Sequence, residues 1–501
     1  MGNTAEALKI LLVYPRYADT FWSFKYALKF VSKKAFTPPL GLLTIAPLLP
    51  KTWERKLVDL NVEKLEDDDI EWADCVFLSA MDVQQESARE VIMKVKAHGK
   101  KIVAGGPLFT LWPDRFPEID HLVLREAEGI LPAFVEDLKR GEAKPVYSST
   151  EWLDVTSSPV PEWSLIDISK YASMCVQYTR GCPFDCDFCA IALLNGKEPR
   201  MKMSTQFLEE LETLYQKGWR GAVFIGDDNF TVKPDRLKEE LLPVLIRWME
   251  EKKYPFFFFT QASVNLVDDE ELIKLMVRAG FDSVFLGIET LEERSLRECN
   301  KTQNIGSDLM KGVKRMQKLG LQVTAGFIVG FDSDPPSVFH NQIDFIQQSG
   351  IVTAMTGLLN AERGTKLYQR LQEENRLTGE STGDNTHLSI NFIPKMGYHQ
   401  LMDGYKRIVD FIYAPRHFYA RLITFLKNYS PLKRGRYDFH FSYIKAFFHS
   451  MWALGIRGEE RYYYWKTLLW TLLHRPNLFP IYVRLAIYGY HFRKVFERGR
   501  L

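Results

Sequence analysis

Short apolar runs recur through the first part of the chain, at Ile10–Tyr14, Lys56–Leu60, Cys75–Ser79, Ile102–Ala104 and His121–Leu124. Helical stretches separate them, the amphipathic Ser87–His98 among these, and that alternation predicts a doubly wound α/β domain over residues 1–145. A Ser-, Thr- and Pro-rich crossing follows, residues 146–168, in which each proline of Ser157–Glu162 pushes its predecessor into extended backbone. Residues 169–385 resume the alternation. Strands are expected at Gly221–Ile225, Phe256–Thr260, Ser283–Gly287, Gln322–Val329 and Ala354–Leu359. Helices are expected at Ser204–Lys217, Pro234–Glu251, Asp268–Ala279, Gly306–Leu319 and Val338–Gln348, with Ser204 and Asp268 as helix starts. Repeated βα units of this kind build a full or partial TIM-type barrel with its site at the strands' carboxyl ends. Residues 386–501 lose the alternation and read as helical throughout.

Composition changes that picture in two places. The 501 residues are 46% hydrophobic and 26% charged, the profile of a soluble globular chain of about three domains. Its six cysteines form no regular framework, which points to a reducing cytoplasm. Met1–Glu6 shows no basic leader, and no run of roughly 20 apolar residues offers a membrane span. The net charge of +2 conceals a tail, residues 401–501, with 18 Lys and Arg against 6 Asp and Glu. That tail also holds 25 of the 67 aromatic residues.

The chemistry concentrates between the first two domains. Cys182, Cys186 and Cys189 are spaced C-x3-C-x2-C, and thiolates at this density select zinc or iron–sulfur chemistry. Cys75, Cys175 and Cys299 supply no second C-x2-C, which disfavours a four-cysteine zinc knuckle. Three cysteines from one loop leave one iron of a four-iron cluster open to a substrate or cofactor. In the first domain the strand ends carry Ser79–Gln84, Gly105-Gly106-Pro107 and Glu126-Ala127-Glu128, where glycines let a bulky ligand approach the backbone or simply make a turn. Neither G-x-G-x-x-G after the first strand nor a phosphate-binding G-x4-G-K-[ST] is present, so no dinucleotide or NTP site is indicated.

A doubly wound domain followed directly by a C-x3-C-x2-C loop resembles the cobalamin-binding radical S-adenosylmethionine (SAM) family, over roughly residues 5–385. The resemblance implies a Rossmann-like cobalamin-binding domain, a radical SAM partial TIM barrel and a helical C-terminal domain. It implies a [4Fe–4S] cluster on Cys182, Cys186 and Cys189, with SAM on the open iron. Gly226-Asp227-Asp228-Asn229 matches the strand end that meets SAM's methionine ammonium, a task that suits a carboxylate. Ser263 and Asn265, after the third strand, match SAM-binding positions, Glu289, after the next, matches a position reaching the ribose, and Val329 lies in the strand against which adenine packs. Phe188 matches an aromatic residue whose backbone meets adenine. Ser79, Met81, Gln84, Gly105, Gly106 and Glu126 match the cobalamin pocket. The family's Asp-x-His-x-x-Gly loop is absent; Asp59-Leu60-Asn61-Val62-Glu63 follows the second strand, so cobalamin would lack a histidine below cobalt. The implied reaction is reductive SAM cleavage to a 5′-deoxyadenosyl radical, hydrogen abstraction from an unactivated carbon, and methyl delivery from methylcobalamin. No side chain stands out as a general base.

The tail, with Arg461–Lys466, Leu468–Pro476 and Phe479–Lys494, suits either an interfacial helix or ordinary helical packing under snorkelling cations. Nucleic acid is not expected, because no binding module is recognisable. Trp452–Ile456, Phe479–Tyr482, Gly196–Lys202 and Ala361–Tyr368 resemble the family subset that includes the hopanoid carbon-2 methylases. The expectation is a cobalamin-dependent radical SAM methyltransferase acting on an unactivated carbon of a hydrophobic, lipid, hopanoid-like substrate. An electron donor such as flavodoxin or ferredoxin would serve it, in a cytoplasmic location with peripheral contact to the inner face of the membrane. The alternatives are a radical SAM enzyme that forms or cyclises C–C bonds in lipids, and a non-catalytic iron–sulfur or lipid-binding protein.

Overall fold

The computed structural model describes residues 7–384, 386–432 and 441–498; the Met1–Glu6 stretch read above for a leader lies outside the described residues. The first domain is a six-stranded parallel sheet of β1 (Lys9–Tyr14), β2 (Glu54–Asp59), β3 (Cys75–Ser79), β4 (Lys101–Gly105), β5 (His121–Val123) and β6 (Val146–Tyr147), in the order β2-β1-β3-β4-β5-β6. Apolar side chains fill both of its faces, as a parallel sheet requires. Leu11, Val13, Val76, Leu78 and Ile102 face the helix Gln85–Ala97 through Ala88, Val91, Ile92 and Val95. Ile10, Leu12, Phe77 and Val103 belong to the other core, with Leu42 and Leu43 of one helix and Phe134 and Val135 of another, Ala127–Arg140.

That last helix is not anticipated in the sequence, because Gly129 and Pro132 interrupt it; burial of Ile130, Leu131, Phe134 and Val135 overrides both. Strand β6 falls in the stretch expected to be an extended crossing, and it pairs with β5 through Leu122↔Val146 and Val123↔Tyr147.

The second domain is another six-stranded parallel sheet: β7 (Ser173–Val176), β10 (Gly221–Ile225), β11 (Phe256–Ala262), β12 (Phe281–Glu289), β13 (Gln322–Val329) and β14 (Ala354–Leu358), in the order β14-β13-β12-β11-β10-β7. Between β7 and β10 lies a small antiparallel ribbon, β8 (Thr179–Arg180) with β9 (Arg200–Met201), that brackets the cysteine loop. Edges β7 and β14 do not pair, so the barrel is partial. The first of its strands, β7, is a four-residue run too short to read from the pattern.

Three helix boundaries move for local reasons. The expected Pro234–Glu251 divides into Pro234–Arg236, a π-turn at Leu237–Leu241 and Leu242–Glu251, since Pro243 offers no backbone N–H. Asp269, not Asp268, caps Glu270–Ala279 by accepting from Leu272 N at 3.0 Å. Ser204 is already helical, Met203 stands before it, and no side chain caps that end.

Two connections tie the domains together. After β1, at the point where the strand order reverses, the chain leaves the first sheet and makes short turns at Phe21–Ser23, Lys25–Leu28 and Lys29–Val31. It then runs beside β7, where Ala35 bridges Tyr171 in parallel and Ser173 N donates to Phe36 O at 2.8 Å. At the far edge, helix Tyr398–Tyr413 covers β14, with Tyr405 and Tyr413 hydroxyls donating to Thr356 O and Ala354 O. Helices Pro415–Asn428, Phe441–Ser450, Arg461–His474 and Phe479–Arg498 complete the C-terminal region.

Candidate active site

The cysteine loop is held from every side. Gly181 opens it at φ +88°, and a Cβ there would come 2.7 Å from the Glu198 carbonyl oxygen, so only glycine fits. Cys182 N donates to Gly196 O (3.1 Å), Cys189 N to Cys186 O (3.0 Å) and Asp187 N to Cys299 O (3.0 Å). Lys197 and Lys366 both pair with Asp185, at 2.8 and 2.6 Å. All three thiols are free and half-buried, and Gln303 Nε2 lies 3.5 Å from Cys186 Sγ. Burial pushes the Cys189 thiol up to about 12, so without metal it stays protonated. Among the described residues no three His, Cys, Asp or Glu groups converge as they would on a single ion. Three thiols from one loop still fit a cluster, in which each thiolate takes a different iron.

The acidic pair at the end of β10 braces this loop. Asp227 is fully buried, and its two oxygens accept from Tyr178 N (2.7 Å) and Thr179 N (2.9 Å), the residues that lead into the loop. Burial moves its pKa up to about 7 even though those amides favour the carboxylate. Asp228 accepts from Gly181 N (3.2 Å) and Asn195 Nδ2 (2.8 Å). Beside it the Gly226 carbonyl takes the Gln177 amide at 3.4 Å. Ser263 N donates to Asn229 Oδ1 at 3.1 Å, so the ends of β10 and β11 are stitched together, while Asn265 is solvent-exposed on the turn Val264–Asp268.

Glu289 ends β12 at φ +61°, a left-handed backbone unusual for a non-glycine and typical of functional sites. Its Oε1 is ion-paired to the largely buried Lys301, whose ammonium also lies 5.7 Å from the Phe188 ring centroid. Burial works against that ammonium, but Glu289 and Cys186 outweigh it and its pKa is raised. Val329, fully buried, ends β13. Beyond it Gly330 N and Phe331 N donate to Asp334, which burial pushes up to about 6, and Phe331 meets the Phe188 ring edge-on at 6.1 Å.

Facing this mouth across the domain boundary is an open cleft of about 270 Å³. Ser79, Gly105, Gly106 and Glu126 of the first domain line it, together with Gln177, Arg180 and Asn195 of the second. The two glycines form a cradle that side chains would fill. A Cβ on Gly105 would come 2.8 Å from Val123 O, and one on Gly106 would come 2.7 Å from Ser79 Oγ. Met81 and Gln84 stand outside the lining: Met81 is exposed, and the buried Gln84 accepts from Met81 N and donates to Pro15 O. Both oxygens of Glu126 are engaged by Arg200, at 2.9 and 2.7 Å, and Arg180 reaches Glu126 at 3.3 Å and Glu128 at 2.5 Å.

The inside of the barrel differs from a packed core. Along β11 burial alternates residue by residue. Phe256 and Phe258 are buried outward against Trp248 and Phe281, while Phe257, Phe259 and Gln261 are half-exposed inward. Phe224 stacks on Phe259 at 4.9 Å, and Phe36 of the segment after β1 closes on Phe259 at 5.8 Å. Trp22 of that segment meets Phe285 edge-on at 5.2 Å and donates its indole N–H to Met355 Sδ at 3.1 Å. Gly326 gives Phe285 its seat, since a Cβ there would lie 2.8 Å from the ring. Lys301, Trp22 and Phe36 escaped the sequence reading because no motif or periodicity marks a residue that reaches a site from a distant segment, and Arg200, within Gly196–Lys202, was marked without its pairing to Glu126.

An open parallel barrel with a three-thiol loop at its mouth, beside a glycine-cradled cleft on a doubly wound sheet, defines a two-cofactor radical enzyme architecture. Three family profiles match the chain: the B12 binding domain over residues 31–135, the Radical SAM superfamily over 176–346, and Domain of unknown function (DUF4070) over 365–500. An uncharacterized methyltransferase of Synechocystis sp. is 40% identical over 490 residues, covering 97% of this chain and 91% of that protein. The hopanoid C-2 methylase of Rhodopseudomonas palustris is 31% identical over 488 residues, covering 94% and 90%. Among solved structures, the cobalamin-dependent SAM radical enzyme OxsB aligns with a TM-score of 0.64 at 14% identity, over 99% of this chain and 80% of that one. The radical SAM methyltransferase TsrM of Kitasatospora setae aligns at 0.56 and 15%, over 74% and 78%. The chain belongs to the cobalamin-binding radical SAM family, and it is an enzyme of that family's methyltransferase branch. Its cofactors are a [4Fe–4S] cluster, SAM and cobalamin.

Proposed function

We propose that the enzyme methylates a carbon of an apolar, lipid-sized, hopanoid-like substrate held inside the barrel. The observation that carries this reading is the half-exposed aromatic inner face at Phe224, Phe257, Phe259 and Phe285, set below the cysteine loop and walled by Trp22 and Phe36. The 31% identity to a hopanoid C-2 methylase supports it. When bound, the cluster with SAM supplies a hydrogen-abstracting radical, and cobalamin supplies the methyl group.

The chain's own residues do the placing. Cys182, Cys186 and Cys189 are the thiolates for the cluster. Asp227 and Asp228 hold the backbone amides of Tyr178, Thr179 and Gly181, which keeps those thiolates aimed at the barrel mouth. For SAM, Lys301 offers a cation to the methionine carboxylate, and the Gly226 carbonyl with Asp228 offers oxygens to the ammonium. Glu289, Ser263 and Asn265 are assigned to the ribose hydroxyls. Phe188 and Val329 flank the adenine. Ser79, Gly105 and Gly106 receive the corrin, and Glu126, by pairing with Arg180 and Arg200, locks the cleft to the barrel. Met81 is assigned to the rim of that site, and the buried Gln84, bonded to Met81 N and Pro15 O, to holding it there. The aromatic lumen excludes water from the reacting carbon. An electron donor of the flavodoxin or ferredoxin kind supplies electrons.

Mass spectrometry of lipids from cells with and without the protein tests the reading: a methylated lipid must disappear with the protein. An unchanged lipid profile refutes the lipid substrate. Replacing Cys182, Cys186 and Cys189 together by Ala must abolish both the cluster's visible absorption and 5′-deoxyadenosine formation, with the fold retained by circular dichroism. Retained SAM cleavage overturns the site.

A further inference from the structure

Exposed apolar side chains are not spread evenly over this molecule. Of the 17 large apolar side chains exposed among the described residues, eight lie within residues 444–473, a small part of the chain. They form two stripes. Ile444, Phe448, Trp452 and Ile456 recur every fourth residue along helix Phe441–Ser450 and the π-turn Met451–Ile456 that extends it. Tyr462, Leu469, Leu472 and Leu473 share one side of helix Arg461–His474, with Tyr462 65% and Leu473 78% exposed. The two helices meet at the turn between them, where Trp465 Nε1 donates to Gly455 O at 2.9 Å. Buried residues elsewhere on both helices, Ala446, Leu454, Tyr464 and Leu468, anchor the hairpin to the protein. The stripes are therefore what remains after its internal packing is satisfied.

Charge identifies the partner. The cations Lys445, Arg457, Arg461 and Lys466 are all exposed along the hairpin; among its acids Glu459 is exposed, and Glu460 is buried against Arg493. Arg457 lies 4.7 Å over the Trp452 ring and Lys466 lies 5.8 Å from the Tyr462 ring, so cations and apolar groups share one rim. An apolar ridge edged with cations matches the headgroup boundary of an anionic bilayer: apolar side chains enter the acyl region and ammonium and guanidinium groups stay at the phosphates.

The hairpin also adjoins the barrel's wall. Helix Phe441–Ser450 rests on the turn Lys29–Val31, and Lys445 Nζ donates to Ser32 Oγ at 2.9 Å. That turn belongs to the segment whose Trp22 and Phe36 line the lumen. We infer that the hairpin 444–473 is a membrane-docking face for an anionic phospholipid bilayer, which sets the aromatic segment 21–36 against the lipid phase that holds the substrate. The route to the lumen rests on the apolar-substrate reading above; the docking face stands on its own.

Sedimentation of the full-length, cofactor-loaded protein with vesicles tests it. Vesicles of phosphatidylglycerol with phosphatidylcholine are expected to carry the protein down, and pure phosphatidylcholine vesicles much less. Leu469→Glu with Leu473→Glu, both at exposed positions, must lower anionic-vesicle binding at least about tenfold, by placing two charges in the acyl boundary. Arg457→Ala, Arg461→Ala and Lys466→Ala must each weaken it roughly fivefold and blunt its salt dependence. Trp452 emission must shift to the blue on anionic vesicles and be quenched by brominated acyl chains. SAM cleavage in detergent must be unchanged in every variant, which separates failure of docking from failure of the catalytic reading. Wild-type protein that stays in the supernatant with both vesicle types overturns the inference, as does equal sedimentation of the double-glutamate variant. A dimer in solution that the double-glutamate variant dissociates overturns it too, because a second copy would then cover the face.

Discussion

Both sheets have six parallel strands, yet they use their inner faces in opposite ways. In the first sheet β1 and β3 are buried along almost their whole length, with apolar side chains packed on both sides. In the second, β11 alternates between buried and half-exposed residues. A parallel strand covered on both faces is scaffold, and it reads as a continuous apolar run. A parallel strand whose burial alternates encloses a space. The sequence Phe256-Phe257-Phe258-Phe259 hides this difference completely, because all four residues are phenylalanine while only two of them are core.

Four measurements can break or sharpen that contrast. The strongest acts on the joint between the sheets. Glu126→Ala leaves the largely buried Arg200 without its carboxylate, while Arg180 keeps Glu128, and it is expected to cost about 3–5 kcal/mol in denaturant unfolding and to release cobalamin on gel filtration. Full cobalamin retention with wild-type stability would mean the two sheets are not coupled through this pair. Next, Leu12→Ala in the fully buried scaffold strand should cost roughly 2–5 kcal/mol while leaving SAM cleavage per folded molecule intact.

The corresponding change in the lumen, Phe259→Ala, removes a half-exposed ring. It should cost only about 1–2 kcal/mol, less than the core value because less area leaves water. Its main effect should be functional: more 5′-deoxyadenosine released per methyl transferred. Equal stability losses for Leu12→Ala and Phe259→Ala would show that the barrel interior is core after all.

The smallest effect, counted per pH unit, concerns protonation. Asp82, in the turn after β3, has both oxygens buried, and burial, with Glu362 nearby, pushes its pKa from 3.8 up to about 7 although the Trp112 indole and the Arg115 guanidinium favour the carboxylate. A carboxyl raised on folding stabilises the protein in its protonated form. Its contribution is complete below 3.8 and is lost as pH rises through about 7. The slope over that window is at most ~1.4 kcal/mol per pH unit, and Asp82→Asn should flatten it. Unfolding midpoints measured across the window decide this; an unchanged slope in the variant would assign it to another group.

Much of this molecule was legible in its residues. Strands Cys75–Ser79, Gly221–Ile225 and Gln322–Val329 appear at their expected bounds, because apolar runs flanked by turn residues carry their own punctuation. The C-x3-C-x2-C loop declares itself through spacing alone. What could not be read depends on long-range contact. Lys301 becomes a neighbour of the cysteines only when the helix Glu293–Glu298 has folded back after β12. The bracing role of Asp227 needs Tyr178 and Thr179, far away in sequence, to arrive with their amides free. A dipeptide of two acids looks the same whether its carboxylates face a ligand or a backbone.

The segment after β1 carries a consequence for heredity and engineering. Trp22 and Phe36 are encoded with the first domain but stand in the wall of the second. A barrel grafted onto a relative's cobalamin domain would inherit a foreign wall, and a barrel expressed alone would leave Phe259 and Phe285 without their covering partners. If the lumen holds the substrate as proposed, specificity is not expected to transfer one domain at a time. An exchange of substrates between relatives is then expected to need residues 21–36 together with the strands they face.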